Sequence, residues 1–385
     1  MNISEIFFQN FRSFSELNLS PTKTINIFLG KNAQGKTNIL EAIHYVSLGR
    51  SRAIKDFELI RWGQTSAIIR IKFFKADISH ELAIEISSDK RRRKILFDGN
   101  TIKMRELIGK LNSVLFSPED LFMFKNSPGT RRKFLDGEIS QASPIYFSDL
   151  SNYNRLIEQR NNLLKKIREG FTSPANLDLW NEQLAEVAAK IIIKRLNSVY
   201  KLNLLANLMQ RKISSQAENL SVAYDMHGLS DAEKMNLKNI GVDISKPVDF
   251  DATKKNLSAW FHKTLQDKQF IDIKRGSTSF GPHLDDLQFF VNDKELKLFG
   301  SQGQLRTVAL ALKLSELQFL KSETGEYPIL LLDDVMSELD LERREMLLDF
   351  LKREKIQTLI TATEEAYFPE KHFGKIFHVT KNHVE

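Results

Sequence analysis

The stretch "GKNAQGKT", residues 30 to 37, carries residue types that suit phosphate binding. Two glycines separated by four residues and followed by Lys and Thr form a loop whose backbone N–H groups can surround phosphate oxygens. A buried strand, "TINIFLG", precedes this loop and a helix follows it, which adds the positive end of a helix dipole. We therefore predict a nucleotide-phosphate site formed by Gly30, Lys31, Asn32, Ala33, Gln34, Gly35, Lys36, Thr37 and Asn38.

Two pairs of polar residues complete this predicted site. Lys36 is expected to reach the β and γ phosphates, and the Thr37 hydroxyl to coordinate Mg²⁺. The stretch "ILLLDD" predicts a buried strand that ends at Asp333 and Asp334. Asp333 would hold the Mg²⁺ ligand shell, directly or through water, and Asp334 would orient or deprotonate the attacking water. Taken alone, an apolar strand that ends in two Asp residues is as often a capped strand end as a catalytic one. The presence of the phosphate loop favours the catalytic interpretation.

A later helix start offers a second candidate anion site. Backbone N–H groups and a hydroxyl precede the helical run "LRTVALALKL" and could bind an anion. The residues are Ser301, Gln302, Gly303 and Gln304. Because the first loop already encloses the phosphates of one nucleotide, this start is either a capped helix or a contact to nucleotide held by another subunit.

The elements that must position these residues have an α/β pattern. Alternating residues up to about residue 100 predict several strands, including an antiparallel β layer, and a helix follows the phosphate loop. From Ile145, two helical segments are separated by "GFTSPAN" and should fold back as an antiparallel pair. Strands return in "TSFGPHLDDLQFFVNDKELKLFG", with a hairpin turn at Asn292-Asp293, and "QTLITATE" is the last predicted strand.

This order predicts one head domain with an insertion. Residues 1–115 form the N-terminal part of the head, residues 116–270 an inserted helical arm or lid, and residues 271–385 the C-terminal part. A composition of 42% hydrophobic and 27% charged residues supports a sizeable core. The absence of Cys excludes disulfides and thiolate metal sites. With no signal-peptide pattern and no apolar run of roughly 18 residues, we expect a cytoplasmic protein without a membrane partner.

The combination of motifs is more specific than any one of them. The stretches that carry it are "NFRSF", "GKNAQGKTNILEAI", "FSPEDLFMFKNSPGTRRKFLD", "GPHLDDL", "GSQGQLRTVALALKLSEL" and "LLLDDVMSELDLERREML". In this order they resemble the ABC-type ATPase heads of the chromosome-maintenance family and, more closely, its bacterial RecF recombination mediators. The resemblance covers essentially the whole chain. It implies an ABC-type P-loop ATPase head with an antiparallel β layer and an inserted helical arm.

The resemblance also implies a function. ATP and Mg²⁺ would close a head-to-head homodimer on duplex or gapped DNA near single-strand junctions, and slow, DNA-stimulated hydrolysis would act as the release switch. Arg12 would contact the nucleotide, Ser301 to Gln304 would act on the partner's nucleotide, and Asp340, which ends "SELD", would cross the interface. RecR and RecO would be partners, RecA would be loaded indirectly, and the SOS response supported. Thr361 or Thr363 would replace the terminal His of transporter ATPases. The alternative is an ATPase subunit of a transporter or nuclease complex.

Two clusters of cations are candidates for DNA contact. The first is a run at a predicted hairpin turn, Lys90, Arg91, Arg92, Arg93 and Lys94, and the second contains Arg131 and Arg132. Such runs are as often solvated tips as phosphate contacts. Contact to phosphates would be independent of base sequence and steeply salt-dependent. A metal site at His283, Asp285 and Asp286 is a weaker alternative, because a single His on a strand is more often structural.

Overall fold

The computed structural model describes residues 1–50, 55–89, 92–368 and 373–385, without the side chains of Arg92 and Asp231. The chain divides into two compact units. Unit 1 comprises residues 1–122, 212–216 and 302–385, and unit 2 comprises residues 123–211 and 217–301. The division predicted at 115/116 and 270/271 stays a prediction. No helix in the described ranges is both long and apolar enough to cross a membrane.

The N-terminal part of unit 1 contains the predicted antiparallel layer. Its six strands lie in the order β2-β1-β4-β5-β6-β7. Strand β4 shows why they form: Ala67, Ile69, Ile71 and Phe73 are buried on one face while the intervening residues face outward. The elements of this part are β1 (Asn2–Phe11), β2 (Phe14–Leu19), β3 (Ile25–Leu29), α1 (Lys36–Leu48), β4 (Ser66–Lys75), β5 (Ile78–Ser87), β6 (Arg92–Phe97), β7 (Asn100–Ile102), α2 (Met104–Leu107) and β8 (Ser113–Phe116).

Unit 2 is mainly helical and contains a small antiparallel sheet. Its elements are α3 (Pro128–Ala142), α4 (Pro144–Arg168), α5 (Leu177–Ile213), β9 (Leu220–Asp225), α6 (Asp231–Asn239), α7 (Phe250–Asp267), α8 (Gln269–Arg275), β10 (Asp286–Val291), β11 (Lys294–Glu295) and α9 (Leu296–Phe299). The sheet order is β11-β10-β9. The predicted turn at Asn292-Asp293 is confirmed, because both residues have positive φ and join β10 to the antiparallel β11.

The two long helices of unit 2 are separated where the sequence predicted a break. Helix α4 ends at Arg168 and α5 begins at Leu177, on either side of Gly170 and Pro174. The helices run antiparallel, since Tyr146 near the start of α4 hydrogen-bonds Arg195 in the middle of α5, whereas the later Arg160 of α4 hydrogen-bonds the earlier Asn181 of α5. This confirms the predicted helix pair.

The C-terminal part of unit 1 completes a second, largely parallel sheet. It contributes α10 (Gln302–Thr324), β12 (Ile329–Asp333), α11 (Leu341–Glu354), β13 (Thr358–Ala362), β14 (Lys375–Thr380) and β15 (His383–Val384). The sheet order is β15-β14-β3-β13-β12-β8, and only β15 is antiparallel to its neighbour. The carboxyl ends of β3, β13 and β12 therefore meet at one edge, where the phosphate loop and the two Asp residues follow.

The expectation that "QTLITATE" is the last strand was wrong. Strand β14 follows it and pairs in parallel with β3, far away in the sequence. The stretch "KIFHVT" is short and only Phe377 and Val379 in it are buried, so its local pattern is weak. Its pairing with β3 decides its structure.

Candidate functional site

The phosphate loop connects β3 to α1 and is shaped by two residues with positive φ. Ala33 has φ 62° and Gly35 has φ 99°, a combination that turns successive N–H groups towards a concave side. A Cβ on Gly35 would lie 2.7 Å from Asn382 Oδ1. Only glycine fits this position, both for its backbone conformation and for the space available.

Lys36 is folded onto the loop that it follows. Its residue exposure is 7%, and its Nζ donates hydrogen bonds to the carbonyls of Gly30 at 2.5 Å and Lys31 at 2.9 Å. Burial lowers the pKa of Lys36, while the nearby carboxylates of Asp334 and Asp333 act in the opposite direction. An anionic ligand would supply acceptors and compensating charge to this ammonium group.

Thr37, Asp333 and Thr361 meet at the ends of α1, β12 and β13. The hydroxyl of Thr37 donates to Asp333 Oδ1 at 2.9 Å, and the hydroxyl of Thr361 donates to the same oxygen at 2.8 Å. Burial raises the pKa of Asp333, and these two hydrogen bonds oppose the rise. Asp333 and Thr361 are register partners on neighbouring strands. The fold thus brings to Asp333 one hydroxyl group that is 296 positions away in the sequence, on Thr37, and one that is 28 positions away, on Thr361.

Asp334 is held in an unusual backbone conformation. Its φ is 51°, a left-handed value that non-glycine residues seldom adopt. Its N–H donates to Thr361 Oγ1 at 2.8 Å. Its Oδ1 is buried and has no hydrogen-bond partner among the described residues, and burial raises its pKa. A strained residue with an unpaired carboxylate oxygen is a candidate for direct action on a ligand.

These groups line one cavity of about 340 Å³ in unit 1. It contains the loop residues 32–38 together with Asp333 and Asp334, and also Ser13 and Thr361. Sequence reasoning missed Ser13, whose hydroxyl accepts a hydrogen bond from Asn38 at 2.9 Å. Its place in "NFRSF" was the available signal. Of the alternatives Thr361 and Thr363, Thr361 is the one that contacts Asp333.

Arg12 lies beside a neighbouring cavity of about 500 Å³ that also reaches Thr37 and Asp333. Its guanidinium forms a bidentate salt bridge with Glu41, with distances of 2.7 to 2.9 Å. Glu119 lines the same cavity, and its charge contributes to the raised pKa of Asp333. The nucleotide contact expected of Arg12 stays a prediction.

The second candidate anion site is joined to the "SELD" segment by arginines. Ser301, Gln302 and Gly303 are exposed and Gln304 is half-buried at the start of α10. In the first turns of α10, Arg306 forms a salt bridge with Glu338 at 2.9 Å. Arg343 binds the Asp340 carboxylate and also donates to Thr307 Oγ1 at 2.9 Å. Thr307 in turn donates to the carbonyl of Gly303. The two segments are therefore linked within one chain.

The comparisons with known proteins agree with this geometry. The family model described as the RecF/RecN/SMC N-terminal domain matches residues 2–385. DNA replication and repair protein RecF of Halothermothrix orenii is 41% identical over 366 residues, which cover 94% of this chain and 92% of the relative. The RecF protein of Bacillus cereus is 40% identical over 389 residues, covering 100% and 98%. The chain belongs to the RecF family.

Solved structures support the same assignment. The structure described as the recombination mediator protein RecF-ATPrS in the RecFOR pathway has 35% identity and a TM-score of 0.87, covering 100% of this chain and 97% of that one. The corresponding RecF-ATP structure has a TM-score of 0.86, with the same identity. An Smc head bound to the C-winged helix domain of ScpA, at 16% identity and TM-score 0.54, shares the fold. The predicted ATPase-head fold with an antiparallel layer and helical arm is confirmed.

One of the expected DNA contacts needs correction. Arg131 lies in the RecF-like stretch "GTRRKFLD", but its side chain is only 2% exposed. Both oxygens of Asp286 accept hydrogen bonds from it at 2.7 Å, and the carbonyls of Met123, Phe124 and Asn126 accept others. Arg131 is thus a structural residue of unit 2, and the DNA contact predicted for it is wrong. Arg132 is half-buried and donates to the carbonyl of Asp285.

The other expected DNA contacts stay predictions. Lys90 and Arg91 lie outside the described residues, as does the side chain of Arg92. Arg93 donates to the carbonyl of Gly49 and pairs with Asp56 at 3.1 Å. Lys94 is half-exposed beside Glu85. Within the described part of this cluster, Lys94 is the cation more accessible to solvent.

The alternative metal site at residues 283–286 is not formed. Asp286 pairs with Arg131, and Asp285 accepts hydrogen bonds from the Tyr224 hydroxyl at 2.5 Å and the His227 N–H at 3.1 Å. His283 Nδ1 lies 2.8 Å from the Tyr153 hydroxyl. The described residues contain no group of three or more His, Asp or Glu side chains that could hold a metal ion. The structural interpretation is favoured.

Proposed function

We propose that this protein is an ATP-dependent DNA-binding protein of recombinational repair and replication. ATP drives head-to-head dimerisation on duplex or gapped DNA near single-strand junctions, and slow hydrolysis releases the complex. The observation that carries the proposal is the cluster at the sheet edge, in which Thr37 and Asp333 meet at 2.9 Å beside a preformed phosphate loop. It is supported by the solved structures of the recombination mediator protein RecF with ATPrS and with ATP, which are similar over the whole chain.

The chain's own residues suit ATP hydrolysis in distinct ways. Loop N–H groups and Lys36 bind the phosphates, which replace the loop carbonyls as acceptors for the ammonium group. Asp334 accepts a proton from, or orients, the attacking water, because its Oδ1 has no partner in the part of the chain that the structure describes and burial raises the pKa of this carboxyl group. Thr361 keeps Asp333 and Asp334 in place through one hydroxyl group.

Mg²⁺ fits the donors at this site. A hydroxyl and a carboxylate oxygen are hard ligands, and Mg²⁺ in nucleotide sites is held by one or two protein oxygens together with phosphates and waters. Thr37 Oγ1 and Asp333 Oδ1 would hold the ion, which would neutralise phosphate charge when bound. Arg12 and Asn38 flank the loop as further candidate contacts of the nucleotide.

The exposure of the second candidate anion site supports dimerisation. Ser301, Gln302 and Gly303 are exposed at the start of α10, so that they can meet the nucleotide of another copy. Asp340 reaches across the same interface in this proposal. The homodimer would recruit RecR, with RecO, so that RecA is loaded onto gapped DNA, and would thereby support the SOS response.

Sedimentation tests the proposal. The wild type should sediment as a monomer without nucleotide and as a dimer with ATP and Mg²⁺, and duplex DNA should sediment with the dimer. Ser301→Arg should retain ATP binding but lose dimerisation and hydrolysis, because a large cation blocks the helix start. Ser151→Arg, the same change at an exposed residue of α4, is the matched control and should behave as wild type. Dimerisation of Ser301→Arg with ATP would contradict the proposal.

A mixing experiment tests action between subunits directly. Lys36→Ala should not bind ATP, and Ser301→Arg should not hydrolyse it. A mixture contains dimers with one complete composite site, formed by the phosphate loop of the Ser301→Arg chain and the Ser301 of the Lys36→Ala chain. Hydrolysis in the mixture above that of either variant supports the proposal. An inactive mixture would argue against hydrolysis by a dimer that has one complete composite site.

A further inference from the structure

The turn that joins β14 to β15 lies beside the phosphate loop. Strand β14 lies next to β3, the strand that leads into the loop, and β15 returns antiparallel to β14. The turn between them consists of Lys381 with φ 49° and Asn382 with φ 64°. Two consecutive positive φ values are typical of a tight two-residue hairpin turn. The turn is therefore a defined structure, and its position is set by the central sheet.

This hairpin turn contacts one residue of the loop through both its side chain and its backbone. The N–H of Lys381 donates to Gln34 Oε1 at 2.6 Å, and the N–H of Asn382 donates to the Gln34 carbonyl at 3.3 Å. The Gln34 amide also donates to the carbonyl of Asn32 at 3.5 Å. Gln34 thus connects the hairpin turn to the interior of the phosphate loop.

The packing around these contacts is close on both sides of the loop. A Cβ on Gly30 would meet the Val379 backbone, and one on Gly35 would meet Asn382 Oδ1. Asn382 Oδ1 is buried there and has no hydrogen-bond partner among the described residues. A turn that only closed a hairpin would not need to place a buried amide oxygen against the loop glycine.

We propose that the hairpin turn Lys381-Asn382 is a positioning element of the nucleotide site. It holds Gln34, and through it the loop from Asn32 to Gly35, in the phosphate-binding conformation before the ligand arrives. Binding then does not have to order the loop, which preserves affinity that would otherwise be lost as conformational entropy. The inference rests on the proposed binding of ATP by this loop and extends the site to the C-terminal hairpin.

The test compares nucleotide affinity with stability in the absence of nucleotide. Gln34→Met keeps the length of the side chain but removes the acceptor for the Lys381 N–H. It should weaken the binding of both ATP and ADP about tenfold, because binding would then have to order about one residue of the loop. Its melting temperature without nucleotide should stay close to that of the wild type. Binding is measured by titration calorimetry.

Two further variants make the result specific. Gln9→Met makes the same change at an exposed residue of β1 and should bind both nucleotides as the wild type does. A chain that ends after Thr380 lacks the turn and should also bind both nucleotides about tenfold more weakly.

Wild-type affinity in Gln34→Met would overturn the inference and leave the proposed function intact. A wild-type chain that binds no ATP would overturn the proposed function, and this inference with it.

Discussion

Two clusters of charged residues in this protein differ in how completely they are paired. In unit 2, Arg195 is 2% exposed, and all three guanidinium nitrogens have partners, among them Asp136, Tyr224 and the carbonyl of Pro282. In unit 1, Asp334 has a buried oxygen without a partner among the described residues, and the pKa of Lys36 is lowered by burial. Buried polar groups are normally satisfied. The arginine cluster is therefore structural, whereas the loop cluster is arranged for a ligand.

This difference predicts that neutralising a charge impairs function in the loop cluster but stability in the arginine cluster. The largest expected effect is on ATP hydrolysis. Asp334→Asn should lower the rate of ATP hydrolysis by about 10² to 10⁴-fold, the range of general base catalysis. ATP binding and the free energy of unfolding should change little, because the substitution removes a charge that burial disfavours. Single-turnover hydrolysis and urea unfolding measure the two effects. Asp77→Asn, an exposed turn residue, is the control; wild-type hydrolysis in Asp334→Asn would refute the assignment.

In the arginine cluster the same kind of change should affect folding. Arg195→Met leaves Asp136, whose side chain is 13% exposed, without its countercharge and should reduce the free energy of unfolding of unit 2 by about 3–5 kcal/mol. Urea unfolding measures this loss. The double variant Arg195→Met/Asp136→Leu should recover part of the stability, since no unpaired charge remains. Arg353→Met, at an exposed side chain, should be neutral. Equal losses in the single and double variants would show that packing, not charge, is responsible.

The pH dependence of stability tests whether the buried His283 of unit 2 stays neutral in the folded chain. Burial lowers the pKa of His283 to about 4 from 6.5. Its Nε2 lies 3.2 Å from the carbonyl of Thr278, so Nε2 is the donor, and Nδ1 accepts from Tyr153. The unfolded chain takes up a proton below pH 6.5, but the folded chain does so only below about pH 4. Stability should therefore fall as the pH falls through this window.

The comparison with His283→Gln isolates this effect. Gln can donate to Thr278 and accept from Tyr153 without titrating. Relative to this variant, the wild type should lose about 3 kcal/mol between pH 6.5 and 4. Burial raises the pKa of Asp285 to about 6, so Asp285 acts in the opposite sense, but it is common to both proteins. A difference in unfolding free energy that is constant with pH would contradict the prediction.

Arg343 is an intermediate case and should give the smallest effect. It pairs with Asp340, whose side chain is 54% exposed, and with the buried Thr307. An exposed pair of this kind adds little to stability. Arg343→Ala should nevertheless weaken ATP-driven dimerisation about threefold to tenfold, because Asp340 and the α10 start are no longer held together. Sedimentation with ATP measures it, with Arg353→Ala as the control. A loss of folding stability without loss of dimerisation would assign Arg343 a structural role.

Much of the fold could be predicted because its signals are local. Alternating apolar residues in β4 predict a half-buried strand, and Gly170 with Pro174 predicts the break between α4 and α5. The phosphate loop is equally local, since the glycine at position 35 is required by its own φ. Strand β14 was missed because its short, half-buried pattern is stabilised by pairing with β3 rather than by its own residues.

The sequence by itself determined which residues could bind phosphate, namely those of the loop, and which strand would carry Asp333 and Asp334. Only the tertiary structure decided which distant groups meet them. Sheet pairing places Thr361 beside Asp333 and the hairpin turn beside Gln34, and helix packing buries Arg131 against Asp286. The physical reason is that periodicity and backbone preference act over a few residues, whereas strand order and burial depend on partners far along the chain.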